Sequence, residues 1–398
     1  VTPDAPELPA RKKTILVSVS ERKTQWLGFS TGFSTGEGLR GGVEYGYRNL
    51  FGSAIHAAFR GQLGYQFVFL DSEIERQYRT LRQEEPTLEY QTTLTFGVPY
   101  IPSLPKNTAS VDFTVLSDIQ RDFRIRKQAV VGSFVWRPIR RVTLSISEEL
   151  EASNFRLLAA QLDNPNVSFS NLVPDGQNTL LATQLSFTLD LRDRAYNPRR
   201  GVLISLSPEY DRTLSSDASS ATALDSSGAR FRSNMLRLNG SFAFYLPLAP
   251  KLTFASQWRY GRILHVVKGS ESYPNRLFYL GGSTFRGYQV NQVVPQDLRD
   301  DPNYASNTLV SHGGQVFLAG QNELRFPLVS DLYGGLFADV GNLWFDPGAL
   351  DLRQLLVVYG AGLRFQTPVA SLAFDYGIRQ VRSGLDVVGA FQFAFQTF

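Results

Sequence analysis

The sequence predicts an all-β chain, a sixteen-stranded antiparallel barrel closed within a membrane. Three observations point to it. Apolar and polar residues alternate with period two, as where Leu185, Phe187, Leu189 and Leu191 oppose Gln184, Ser186, Thr188 and Asp190, and successive strand side chains point to opposite faces. The alternating runs last about 10 to 14 residues against roughly five or six in soluble strands, and a tilted strand needs about 9–11 to cross the hydrocarbon layer. Short turns and long loops also follow one another, the asymmetry of an outer-membrane barrel.

The strands are expected near 25–35, 38–49, 52–68, 88–98, 108–121, 126–137, 141–153 and 179–191, then near 201–211, 231–247, 251–264, 314–326, 332–345, 355–366, 369–379 and 384–398. In 235–247, Leu236, Leu238, Phe242, Phe244 and Leu246 fall on one face and Arg237, Asn239, Ser241 and Tyr245 on the other. In 357–366, Val357, Tyr359, Leu363 and Phe365 oppose Gly360, Gly362, Arg364 and Gln366. Connections after even strands are mostly short: Asn49–Phe51, Arg137–Arg140, Pro247–Pro250 and Pro327–Ser330. Those after odd strands include 69–87, 154–178, 212–230 and 265–313. The segment 212–230, rich in Ser, Ala and Asp, reads as a mobile surface loop. An even strand count places both chain ends on the short-turn, periplasmic side. Residues 1–24 read as a linker, with Pro3, Pro6 and Pro9, and the single strand Ile15–Val19. One strand cannot fold alone.

Composition narrows the class. The 398 residues would usually form two or three soluble domains, whereas a barrel turns its apolar surface to lipid and is expected to need no thick core. Aromatics are abundant, with 29 Phe, 17 Tyr and 4 Trp. No apolar run reaches the ~18 residues of a spanning helix, which excludes a helical membrane protein. Without cysteine there is no disulfide frame and no thiolate metal site. The start, Val1-Thr2-Pro3-Asp4, lacks a signal peptide, so an exported protein is expected to be mature or trimmed here. Arginine outnumbers lysine 33 to 7, which suits bidentate pairing with lumen carboxylates or lipid phosphates. The charges are spread rather than clustered, which argues against nucleic acid as a partner.

The most informative stretch is Leu280-Gly281-Gly282-Ser283-Thr284-Phe285-Arg286-Gly287-Tyr288, in the longest loop. Further on, Phe337-Ala338-Asp339-Val340-Gly341-Asn342-Leu343-Trp344 puts Phe337, Asp339 and Gly341 on one face. Asn322-Glu323-Leu324-Arg325 puts Glu323 and Arg325 on the polar face of the strand before it. A carboxylate facing lipid is costly, so Asp339 is expected to face the lumen. Taken singly, these are equally a glycine-rich turn and ordinary lumen charges. Together they resemble the BamA/TamA superfamily of outer-membrane insertases and translocases, whose sixth extracellular loop carries a Val/Phe-Arg-Gly-Phe/Tyr signature.

Other stretches extend the resemblance from about residue 15 to the end. They are Gly28–Gly32 with Asn49–Gly52, Asp190-Leu191-Arg192-Asp193 with Pro198–Gly201, Gly360–Arg364 with Thr367–Val369, and Phe374-Asp375-Tyr376. The resemblance implies that the loop folds back into the barrel with Arg286 held by Asp339 and Glu323. It implies that residues 1–24 hold the tail of a periplasmic, POTRA-like domain ahead of a barrel at 25–398. It also implies insertion or export of unfolded outer-membrane or secreted client proteins, contact with outer-membrane lipids including lipopolysaccharide, and a periplasmic partner protein. No cofactor is implied.

The first strand carries Gly28, Gly32, Gly36 and Gly38 beside Phe29, and glycine weakens a strand. Its seam with the last strand, bearing Phe393, Phe395 and the terminal Phe398, is expected to open sideways to an incoming client strand. A tight barrel corner is the alternative for these glycines. Phe398 lies out of phase with Phe391, Phe393 and Phe395, which leaves the register of the last strand open. The terminal aromatic resembles a barrel-assembly signal; a plain apolar last strand is the alternative.

Gly28–Gly32 also satisfies G-x-S-x-G, but a nucleophile elbow needs a strand-to-helix turn and only more alternation follows. His56, His265 and His312 lack metal spacing, and no nucleotide fingerprint occurs. An enzyme is not expected. The other readings are a two-partner-type secretion pore, a passive channel and an outer-membrane phospholipase.

Overall fold

The computed structural model describes residues 2–3, 15–16, 23–34, 38–65, 88–101, 104, 106–119, 123–157, 176–195, 197–218, 230–300, 313–329, 332–366, 371–380 and 387–396. Seventeen strand segments among them close an antiparallel barrel. Two segments, Gly201–Leu206 and Glu209–Ser216, lie end to end. Both pair with the strand before and the strand after, so they are one strand interrupted at Ser207-Pro208. The ladder passes through the break, since Pro208 O accepts from Leu185 N at 3.0 Å and Ser207 N donates to Asn239 O at 2.8 Å. Proline cannot donate to a ladder, so it sits at the interruption.

The sixteen strands are β1 (Gln25–Ser34), β2 (Gly38–Leu50), β3 (Ile55–Tyr65), β4 (Leu88–Val98), β5 (Asn107–Ile119), β6 (Phe123–Ile139), β7 (Val142–Leu157) and β8 (Gly176–Asp190). They continue with the two-part β9 (Gly201–Leu206 and Glu209–Ser216), β10 (Asn234–Ala249), β11 (Leu252–His265), β12 (Val316–Val329), β13 (Leu332–Trp344), β14 (Leu356–Gln366), β15 (Ser371–Gln380) and β16 (Val387–Gln396). Each pairs with its chain neighbours, and β16 closes back onto β1. No helix among the described residues is long and apolar enough to cross a membrane.

Alternation sorts the side chains into two environments. Leu27, Phe29, Phe59, Leu63, Leu185, Leu336, Tyr359 and Leu363 are exposed on the outer wall, while Glu151, Asp211, Glu323, Asp339 and Arg364 are buried inside. In water this would be inverted. With acyl chains outside, the outward apolar side chains meet hydrocarbon and the inward charges can meet one another.

Several boundaries differ from the sequence reading: where a loop is expected over 154–178, β7 runs on to Leu157 and β8 starts at Gly176, paired with each other there. Arg212–Ser216 belong to β9 rather than to a loop, because their backbone pairs with Asn178–Leu181 of β8. Thr213 and Ser216 bond to Tyr273 and Asn178 while Arg212, Leu214 and Ser215 are exposed, a polar stretch that periodicity alone cannot tell from a surface loop. Two short turns are tighter than expected, 140–141 and 250–251, while the β2–β3 turn is longer, at 51–54. In the hairpins β2–β3, β6–β7, β10–β11 and β12–β13 the register shifts just before the turn, between Tyr47/Leu50, Trp136/Ile139, Pro247/Ala249 and Pro327/Val329. These are β-bulges, which accommodate Pro247 and Pro327 inside strands.

The Asp190–Gly201 turn is built on its own side chains. Arg192 forks onto Asp190 at 2.9 Å through both Nε and Nη2, and Asp193 Oδ1 accepts from the backbone NH groups of Arg199 and Arg200 at 3.0 and 3.3 Å. Gly201 has φ 115°, which only glycine adopts readily.

The expected linker and domain tail over 1–24 lies mostly outside the described residues; of those described, Thr2–Pro3 pairs with Ile15–Leu16. Phe398 and His312 also lie outside them.

Candidate functional site

The barrel is not hollow. In the connection from β11 to β12, the described residues 266–300 fold inward and carry the short helical turns Pro274–Arg276, Gly282–Thr284 and Gln296–Asp300. Its Tyr273, Phe278, Leu280, Phe285 and Val293 are buried against Phe155 of β7, Leu180 of β8, Met235 of β10 and Ile263 of β11. The expectation that a barrel needs no thick core therefore requires correction. An apolar core exists, and the loop supplies five of its buried residues, the rest coming from the wall and its rim. Apolar residues spaced irregularly through a loop carry no periodicity to reveal them.

At the tip, the Gly281–Tyr288 segment is a tight reversal. Gly281 and Gly287 have φ of 133° and 82°, both in the region that favours glycine. Thr284 Oγ1 accepts from Gly281 N at 3.1 Å and donates to Gly281 O at 2.7 Å. The turn presents Arg286 to the wall of β12–β15.

Arg286 meets Asp339 as a fork. Its Nε lies 2.9 Å from Oδ2, its Nη2 2.7 Å from Oδ1, and its backbone NH also donates to Oδ2 at 3.1 Å. The remaining Nη1 donates to Glu323 Oε2 at 2.6 Å. The guanidinium stacks 3.7 Å over the Phe337 ring, a cation–π contact in a dry site. Burial alone would depress the Arg286 pKa, but Asp339 and Glu323 override it and hold it above the ordinary arginine value. Gly341, two residues beyond Asp339, lies where a Cβ would meet Leu318 O at 2.5 Å and Ala319 Cα at 2.9 Å. It keeps β12 and β13 close under the clamp.

The sequence reading missed the breadth of this network. Glu323 also accepts from Arg325 Nε at 3.0 Å and from Arg364 Nη2 at 2.7 Å, and Arg364 Nη1 reaches Asp375 at 2.7 Å. Arg286, Arg325 and Arg364 thus face Glu323, Asp339 and Asp375, and Arg259, which donates to the Thr284 carbonyl, adds a fourth cation beside Asp339. Buried ions repay their desolvation only in such close, hydrogen-bonded geometry. The signal for Arg364 and Asp375 was present in Gly360–Arg364 and Phe374–Tyr376, where both fall in the inward phase of adjacent strands. Gly362 pairs with Asp375 and makes room for the bridge.

Beyond Arg286 the segment reaches the end of the barrel. Tyr288 stacks on Phe285 at 5.4 Å and lies under Arg379 at 4.1 Å. Its carbonyl accepts from Gln392 Nε2 of β16 at 2.7 Å. On β15, a Cβ at Gly377 would lie 2.6 Å from Gly287 N and 2.8 Å from Gly287 Cα. Gly377→Val is therefore expected to push the tip off the wall, at an overpacking cost of about 1–3 kcal/mol. Thermal midpoints in detergent and maleimide labelling of a cysteine placed at Gln289 would check this.

The residues assigned to the seam fall on two adjacent strands. Gly28, Phe29 and Gly32 are on β1, and Phe393 and Phe395 are on β16. The Phe33 and Phe393 rings are 6.4 Å apart across it. A Cβ at Gly32 would meet nothing within 4 Å, and one at Gly28 would reach only Glu44 at 4.0 Å. Crowding does not demand glycine at either position, unlike Gly42, where a Cβ would lie 2.7 Å from Ser30 Oγ. Ser30 sits mid-strand opposite Gly42, so the G-x-S-x-G match is no nucleophile elbow.

A sixteen-stranded barrel with an arginine-bearing loop clamped inside it defines the class of protein. The Omp85 superfamily domain model matches residues 44–397, and the chain belongs to that superfamily of bacterial outer-membrane barrels. Among solved structures it is similar to BamA from Haemophilus ducreyi lacking POTRA domains 1–3, at 17% identity and TM-score 0.70, covering 94% of this chain and 70% of that one. It is also similar to CdiB from Acinetobacter baumannii, at 12% identity and TM-score 0.51, covering 94% of this chain and 60% of that one. Both likenesses are of fold. No curated protein matches the sequence at a significant level.

Proposed function

We propose that the chain inserts or translocates unfolded client proteins at the outer membrane, working through the wall at the β1–β16 seam rather than through an open lumen. The observation that carries this reading is the clamped loop. Arg286 and its partners, with the apolar residues behind them, fill the space a passive channel would keep open. An opened seam leaves backbone donors and acceptors of β1 unpaired, and a client strand that pairs with them lowers the free energy. The sparse packing around Gly28 and Gly32 supports a weak seam. No nucleotide enters, since folding and insertion of the client supply the driving force.

With this reading go both chain ends on the periplasmic side, residues 1–24 as the tail of a periplasmic domain, a periplasmic partner protein, and contact with outer-membrane lipids including lipopolysaccharide. A two-partner-type secretion pore is the second reading, favoured by the likeness in fold to CdiB.

Reconstitution into liposomes with a barrel client and a secreted client side by side tests the proposal. Accelerated folding of the barrel client supports insertion, and release of the secreted client supports the pore. Activity on neither, with a large steady conductance, would leave a passive channel and end the proposal.

A further inference from the structure

The long loop carries another buried arginine, ten residues before Arg286, that no motif singles out. Arg276 closes the Pro274–Arg276 turn and points at the opposite part of the wall. Its Nη2 lies 2.9 Å from Glu151 Oε2 and 3.3 Å from Glu149 Oε2, both on β7, and its Nη1 lies 3.1 Å from Glu209 Oε1 on β9. Between these strands β8 contributes Ala182, which pairs with Glu149 on one side and Asp211 on the other. Its small side chain lets carboxylates from β7 and β9 converge on one guanidinium. Lys127 of β6 bridges Glu149 and Glu151, and Arg237 of β10 lies 3.8 Å from Glu209. The neighbouring loop residues add to the hold. Asn275 donates to Glu151 at 3.5 Å, the Tyr273 hydroxyl lies 2.7 Å from Thr213 Oγ1, and the Tyr273 ring packs on Phe231 at 4.8 Å and Phe155 at 6.2 Å.

We infer that Arg276 is a second anchor, so that residues 273–288 form a strut held at both ends. One end grips β7–β9, and the other grips β12–β15 and reaches β16 through the Tyr288 carbonyl. Between its ends the segment follows the inner wall: Phe278 lies under Arg237 of β10 at 4.8 Å and packs on Phe317 of β12 at 4.8 Å, and Arg259 of β11 donates to the Thr284 carbonyl. Releasing the Arg286 end alone leaves the segment tied to β7–β9, and clearing the lumen requires both ion-pair anchors to let go before the packing between them can yield. Arg276 is a positioning residue in this account. The inference rests on the proposed function only for its purpose; the geometry of the strut and its test involve no client.

The test is conductance in planar bilayers of Arg276→Met, Arg286→Met and the double variant, each first shown to be folded by its heat-modifiable band on a gel. Each single variant is expected to stay mostly plugged. The double variant should exceed the product of the two single effects by about tenfold, the non-additivity of two restraints on one body. Arg276→Lys keeps the charge but not the fork and should fall between wild type and Met. Glu209→Gln removes one counter-charge with little change of shape. It serves if Arg276→Met does not fold, and combined with Arg286→Met it should open the lumen in the same direction. Conductance of the double variant equal to that of Arg286→Met, with Glu209→Gln adding nothing, would overturn the second anchor. Loss of client insertion with unchanged conductance would instead bear on the functional proposal.

Discussion

Arg286→Ala is expected to loosen the loop tip and impair assembly of clients. The reason lies in what the arginine leaves behind. Glu323 keeps Arg325 and Arg364 at 3.0 and 2.7 Å, but Asp339 loses its fork and retains only the backbone NH of residue 286 among the hydrogen bonds described above. A buried carboxylate stripped of its partner costs about 3–5 kcal/mol. The tip keeps its bonds from Gln321, Arg259, Arg379 and Gln392 to the carbonyls of Ser283, Thr284, Gly287 and Tyr288, each worth about 0.5–1.5 kcal/mol, so it loosens without leaving the wall. Protease protection of the 281–288 segment should therefore fall together with client folding. Replacing Asp339 with Ala in the same chain should recover part of the lost stability, because the stranded charge is gone, without recovering activity. Wild-type protection and wild-type activity in Arg286→Ala would remove the clamp from the account.

Most of the barrel was legible in the sequence because period-two alternation encodes two solvents. Leu363 and Phe365 against Arg364 can stand only where one side is hydrocarbon and the other holds carboxylates. The single strand expected over 201–211 runs through Ser207-Pro208, and the pairing of both halves with β8 and β10 agrees, but the proline's interruption of the strand carried no signal in the periodicity. The clamp was legible in part, since Arg286, Asp339 and Glu323 lie in motifs with a fixed inward phase. Arg364 and Asp375 stood in motifs of their own, but nothing local joined them to Glu323, because the join is made across strands by register. Arg276 was illegible. It follows Pro274 and Asn275 in an irregular loop, and its partners Glu149, Glu151 and Glu209 are ordinary inward charges until β8 brings β7 and β9 around Ala182.

The seam carries the central claim, and it can be locked. The chain has no cysteine, so a pair introduced at Phe33 and Phe393, whose rings are 6.4 Å apart, has no competitor. Residues on adjacent strands come within the ~7 Å Cα separation a disulfide tolerates. The measurement is insertion of a barrel client into liposomes by the Phe33→Cys/Phe393→Cys protein, oxidised and then reduced, beside each single-cysteine control. The account predicts insertion at background level when the bond is closed and recovery on reduction. Insertion at the wild-type rate with the bond fully formed would contradict it.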